Sequence, residues 1–108
     1  MSGQIVQFRP TVARKMEALT VTNAVQVLTP ALFKDSGMSG GASEAFLTNY
    51  GAGLRFTYDG VTSPSATVGH VLQDGGTLVL KGQQQMAAFK CYRLSSTDTE
   101  ITVSYEYE

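Results

Sequence analysis

The feature that most constrains the fold is a strict two-residue alternation at the C-terminus. In Glu100-Ile101-Thr102-Val103-Ser104-Tyr105-Glu106-Tyr107-Glu108, the apolar Ile101, Val103, Tyr105 and Tyr107 point one way and the polar residues the other. A helix cannot hold that separation, whereas a strand with one buried face requires it. Leu54-Arg55-Phe56-Thr57-Tyr58 repeats the pattern and stops at Asp59-Gly60, a tight-turn signal that asks Gly60 for a positive φ. Residues 86–94 read as a third strand, with Ala87, Phe89 and Cys91 inward. Thr77-Leu78-Val79-Leu80 is short and apolar and lies between glycines, which suits a strand covered on both faces or one at a corner.

Residues 19–28, 45–50 and 68–72 supply further short extended segments between Gly, Asp, Asn and Pro turns. The sum predicts an all-β chain: a single antiparallel β-sandwich, jelly-roll or Greek-key like, with an extended N-terminal arm. One short helix is conceivable over residues 11–19, where Val12, Met16 and Leu19 follow Pro10 at helical spacing. The predicted division is an arm over residues 1–17 and a sandwich over 18–108. Residues 34–44, rich in Gly and Ser, read as an exposed loop. The expected core is Leu19, Val21, Val25, Val27, Phe46, Leu54, Phe56, Leu72, Leu78, Leu80, Phe89, Cys91, Ile101, Val103 and Tyr105.

Composition limits the function. Only 16% of the 108 residues are charged and the net charge is -1, which removes the usual basis for nucleic-acid binding. No apolar run approaches the roughly 18 residues of a membrane helix, and the N-terminus lacks a signal-peptide layout. One cysteine cannot form a disulfide within the chain, and one histidine cannot anchor a multi-histidine metal site.

The individual chemical candidates read as structural. His70 lacks a nucleophile and orienting partner at any recognisable spacing, so its ring is expected to hydrogen-bond to the adjacent turn. Cys91 shares the inward face of Phe89. Glu100, Glu106 and Glu108 line the outer side of the last strand, where charge discourages pairing with other chains, and no calcium loop accompanies them. Gly51-Ala52-Gly53 has neither the following helix nor the lysine of a phosphate loop. No catalytic residue, metal or cofactor is expected. An enzyme built around His70 is the weakest of the readings.

Residues 54–60, then Pro64 to Leu72 with its Gly69-His70 step, then Gly75, Leu78 to Leu80, residues 87–91 and 101–105 form a recognisable series. It resembles small phage- and prophage-encoded β-sandwich virion proteins. The resemblance covers about residues 45–107 and rests on turns and core positions, not on catalytic groups. It implies a structural virion role on a bacteriophage capsid surface, as a decoration or cement protein that stabilises the shell. The implied partners are the major capsid protein or neighbouring virion subunits, with a homo-oligomeric arrangement and no nucleic acid or membrane.

The arm fits that role. Ile5, Val6 and Phe8 are apolar without a neighbouring turn to fold them back, and Arg9, Arg14 and Lys15 form the basic cluster beside them. These residues are the predicted assembly interface. The alternative reading is a carbohydrate- or receptor-binding accessory module of a phage head or tail, using exposed Tyr58, Tyr92 and the Gln83-Gln84-Gln85 run.

Overall fold

The alternating C-terminal segment becomes an interior strand of one sheet. In the computed structural model, which describes residues 12–34 and 41–107, β8 (Thr99–Tyr107) pairs on one side with β1 (Val12–Val21). On its other side it pairs with β3 (Glu44–Tyr50), which pairs in turn with β6 (Thr77–Lys81). In the second sheet, β4 (Leu54–Thr57) lies between β5 (His70–Leu72) and β7 (Lys90–Arg93), and β7 pairs with β2 (Gln26–Val27). The strand orders are β1-β8-β3-β6 and β2-β7-β4-β5, with every pairing antiparallel. The chain is a β-sandwich with inward faces meeting in one apolar core.

The register explains which residues are inside. Ile101, Val103, Tyr105 and Tyr107 are fully buried from β8, and Leu54, Phe56 and Cys91 face them from the second sheet. Val21, Leu72, Leu80 and Phe89 are buried as expected, while Leu19 and Leu78 pack at the margin. Three expected core residues are exposed: Val25, Val27 and Phe46. In β3 the inward positions are Ala45, Leu47 and Asn49, so Phe46 faces out. Val27 ends β2, a two-residue edge strand with little to cover it, and Val25 immediately precedes that strand.

Residues 11–19, considered for a helix, belong to β1 from Val12 onward. The reason is an inverted pattern. Glu17 shares the inward parity of Leu19 and Val21, whereas Met16 and Ala18 are exposed. The Glu17 carboxylate accepts hydrogen bonds from the Tyr105 hydroxyl, from Thr29 Oγ1 at 2.8 Å and from Thr29 N at 3.1 Å. Burial and the Glu17 carboxylate push the Tyr105 phenol far above its ordinary pKa, so it stays a donor. A bulge between Ala13 and Lys15 further breaks the period. Residues 12–17, assigned to the arm by sequence, therefore lie in the sheet, while residues 1–11 fall outside the described residues.

Two short helices also escaped the sequence pattern. α1 (Pro30–Phe33) buries Phe33 at 5.9 Å from the Tyr105 ring, and the Tyr107 hydroxyl donates to Leu32 O at 2.5 Å. α2 (Gln83–Ala88) takes the first residues of the expected strand 86–94 and buries Met86, leaving β7 only four residues. Gly82, at φ 85, turns the chain into α2, and Lys81 N donates to Gln85 Oε1 at 2.7 Å. β6 is an edge strand with Leu80 inward and Val79 exposed, not a strand covered on both faces. Of the Gly/Ser segment 34–44, Ala42 is buried and its N–H donates to Phe33 O at 2.9 Å, while residues 35–40 lie outside the described residues.

The connections β1–β2, β3–β4, β5–β6 and β7–β8 gather at one end of the sandwich, and the longer ones with α1 and α2 at the other. The first end is held by buried polar side chains. Asn49 Nδ2 donates to Ala52 O, Leu72 O and Gln73 O at 2.8 to 2.9 Å, and Asn49 Oδ1 accepts from Thr99 Oγ1 at 2.7 Å. Thr99 Oγ1 in turn accepts from Ala52 N at 2.9 Å. No buried side-chain polar atom among the described residues lacks a partner.

Candidate functional site

Period-two geometry gives each sheet an outer face, and the outer face of the first sheet has an unusual composition. The exposed Met16, Ala18 and Thr20 of β1 are in register with Ser104, Thr102 and Glu100 of β8. Those residues are in register with Phe46, Thr48 and Tyr50 of β3, and Phe46 and Thr48 with Val79 and Thr77 of β6. Two adjacent rows cross the whole sheet without a charge: Met16-Ser104-Phe46-Val79 and Ala18-Thr102-Thr48-Thr77. Met16 is 60% exposed and Tyr50 74%. Among the described side chains, charges sit at the two ends of the face, Glu44, Glu106 and Lys81 at one and Glu100 at the other. Contiguous exposed faces of this kind are uncommon on monomeric proteins.

The second sheet presents the opposite case. Its outer positions include Arg55, Tyr92 and Val71 in one row, with Lys90 and Thr57 in the next. Arg55 draws the loop 58–69 against this side, donating from Nε to Ala66 O at 3.1 Å and from Nη1 to Gly69 O at 3.0 Å.

The predicted interface residues distribute as follows. Ile5, Val6, Phe8 and Arg9 lie outside the described residues. Arg14 falls at the bulge of β1, and Lys15 follows it, half-buried, opposite Tyr105. Thus the described part of the basic cluster is on the edge strand that also contributes Met16 and Ala18 to the uncharged face. Sequence reasoning missed that face because Phe46 and Val79 look like core residues. The signal for Phe46 was present in the alternation of β3, where Ala45 and Leu47 take the inward positions.

Next to the open end of β4 and β5 is a cleft of about 470 Å³, lined by Thr57, Tyr58, Asp59, Thr62, Val68, Gly69 and His70. Asp59-Gly60 does not close a two-residue hairpin: the next strand begins only at His70. Gly60 does have φ 78. Asp59 caps the loop instead, its Oδ1 accepting from Val61 N at 2.9 Å and Thr62 N at 2.8 Å, its Oδ2 from Thr62 Oγ1 at 2.6 Å. The hydrogen bonds from Thr62, hydroxyl first, and from Val61 hold the Asp59 carboxyl down at about 2. Gly69 is required because a Cβ there would meet Phe56 O at 3.0 Å, with φ at 123. That approach sets His70 opposite Phe56, with ring centroids 5.3 Å apart, and Tyr58 6.1 Å from His70. The His70 ring is therefore held by packing, not by the expected hydrogen bond to the turn.

The remaining candidates are separated from one another. Cys91 is fully buried and burial pushes its thiol up to about 12. Tyr92 lies on the outer side of β7, and the Gln83-Gln84-Gln85 run forms the first half of α2, neither lining the cleft with Tyr58. Gly51 N in the β3–β4 turn donates to Asp74 Oδ1 of the neighbouring β5–β6 turn at 2.9 Å. Among the described residues no group of His, Cys, Asp and Glu has metal-binding geometry, and no helix is long and apolar enough to cross a membrane. Comparison of the chain with protein-family models, curated proteins and solved structures gives no significant match.

Proposed function

We propose that the protein is a structural component of a bacteriophage virion, a non-enzymatic capsid decoration or cement protein that binds the assembled shell. The observation that carries this reading is the uncharged outer face of the β1-β8-β3-β6 sheet. Met16, Phe46 and Val79 still expose 60%, 39% and 43% of their surface, so covering them against a partner contributes roughly half of the 1.5–3 kcal/mol that complete burial of such a side chain is worth. The hydroxyls of Thr48, Thr77, Thr102 and Ser104 hydrogen-bond across such a contact without the desolvation penalty of charges. Ile5, Val6, Phe8 and Arg9 immediately precede the edge strand of this same sheet in the sequence, which supports giving them and the face a common partner. Arg14 and Lys15 stand where they join.

The strand orders 1-8-3-6 and 2-7-4-5 favour reading the sandwich as a jelly roll, the two-Greek-key architecture that recurs in viral capsid and lectin domains. Architecture alone does not assign a role. A lattice partner does suit a surface of individually weak contacts, since many bound copies multiply a modest affinity. The proposed partners are the major capsid protein and neighbouring copies of this chain, on the capsid exterior.

Add-back to capsids purified without the protein tests the reading. Saturable binding and a raised disruption temperature of the shell are the expected results. Phe46→Glu should abolish binding while the melting temperature of the free subunit is kept, and Tyr92→Glu on the opposite face should leave binding intact. Deleting residues 2–11, short of β1, should weaken binding with the sandwich still folded. Wild-type binding by Phe46→Glu, or no binding to any capsid of the virus, overturns the proposal.

A further inference from the structure

We infer that the cleft between Tyr58 and His70 binds a neutral sugar ring, as a recognition site separate from the capsid-facing sheet and independent of the capsid reading. The first support is shape and size. At about 470 Å³ the cleft lies within the range of roughly 300–1,000 Å³ typical of small-ligand sites. It is also held rigidly. Arg55 ties the loop at Ala66 O and Gly69 O, Thr57 Oγ1 donates to Thr62 O at 2.7 Å, and Asp59 caps Val61 and Thr62.

The second support is an aromatic ladder that ends in water. Phe89 and Phe56 have ring centroids 5.9 Å apart in the core, and Phe56 is 5.3 Å from His70 and 6.2 Å from Tyr58. The last two rings are exposed at the cleft, Tyr58 by 44%. An aromatic face backed by fixed rings offers a flat apolar surface to the C–H side of a pyranose without ordering a mobile side chain.

The third support is the count of free polar positions. A carboxylate offers about four lone-pair sites. Three on Asp59 are occupied by its own turn, leaving one on Oδ2 for an incoming hydroxyl. The His70 ring nitrogens and the Tyr58 hydroxyl have no hydrogen-bond partner among the described residues. One acceptor and two donor–acceptor groups around an aromatic floor match a polyhydroxylated ring.

Other ligand classes fit less well. A phosphate-bearing ligand would meet the Asp59 carboxylate, and no Arg or Lys lines the cleft. A wholly apolar ligand would bury that carboxylate without a donor for its remaining site. An amine would need a full counter-charge from a carboxylate whose lone pairs are already shared among three donors.

The test is a ¹⁵N–¹H NMR titration of the full chain with glucose, galactose, mannose and N-acetylglucosamine, with choline as the cationic control. The expected result is saturable shifts for at least one sugar, confined to residues 57–62 and 68–70, with Kd on the order of 1 mM. Tyr58→Ala and His70→Ala should each weaken binding about 10-fold. Both side chains are exposed, so the core spectrum should persist, and Tyr58→Phe should retain the stacking part of the affinity. Absence of saturable shifts with all four sugars overturns the inference. So do shifts scattered over the surface, tighter binding of choline than of any sugar, or unchanged affinity in both alanine variants.

Discussion

The two ends of the sandwich solve the same problem, how to terminate paired strands, in opposite ways. At one end Asn49 and Thr99 are buried and linked to four backbone positions, so the short β3–β4 and β5–β6 turns close over a satisfied polar centre. At the other, Arg55 ties the long β4–β5 loop to β4, Asp59 caps the loop's first turn, and the aromatic ladder emerges into a cleft. The closed end contributes stability because its polar groups have no access to water as substitutes. The open end keeps partly exposed groups whose interactions are weaker, which is what ligand access requires.

That contrast breaks most visibly at Asn49. Asn49→Leu removes the donor to Ala52 O, Leu72 O and Gln73 O, leaves the Thr99 hydroxyl only Ala52 O and Tyr50 O to donate to, and should destabilise the fold by about 3–5 kcal/mol in urea denaturation. A loss below about 1 kcal/mol would mean water enters this end and the two ends are alike. The next effect is smaller and lies at the open end. Arg55→Met should lower stability by about 1–2 kcal/mol and accelerate amide exchange in residues 61–69, while amides at Asn49, Gly75 and Gly76 keep their protection. Equal acceleration at both ends would show that they open as one unit.

The smallest effect is a pH dependence. The folded-state pKa of Asp59, about 2, is below its ordinary value of 3.8. Its stabilisation is therefore complete above the ordinary carboxylate range and is lost as pH falls through about 2. The gap in melting temperature between the protein and Asp59→Asn should narrow across that interval. A gap that stays constant down to about pH 2 would show that the carboxylate charge contributes nothing to the loop.

The legibility of the chain follows the same physics. β8 and β4 were readable because their inward residues are apolar and their outward ones mainly polar. β1 was not, because Glu17 faces inward with its charge satisfied by Tyr105 and Thr29, while Met16 and Ala18 face out. α1 and α2 are too short to show a helical period. The uncharged face was hidden for a related reason: the outward Phe46 and Val79 are the same residue types that fill the core. The cleft needed the β4–β5 register itself, which brings Tyr58 and His70 together across a long loop.

Cys91 gives the molecule a built-in clock. Its side chain is fully enclosed, with Sγ 3.7 Å from Gln26 O, and burial pushes the thiol up to about 12. At neutral pH an alkylating reagent finds neither a path to the sulfur nor a thiolate to attack. Modification must wait for β2 and β7 to separate, so the labelling rate counts opening events. With a single sulfhydryl in the sequence, that count needs no engineered tag. The same reagent, applied with and without a binding partner, would compare how often β2 and β7 separate in each state.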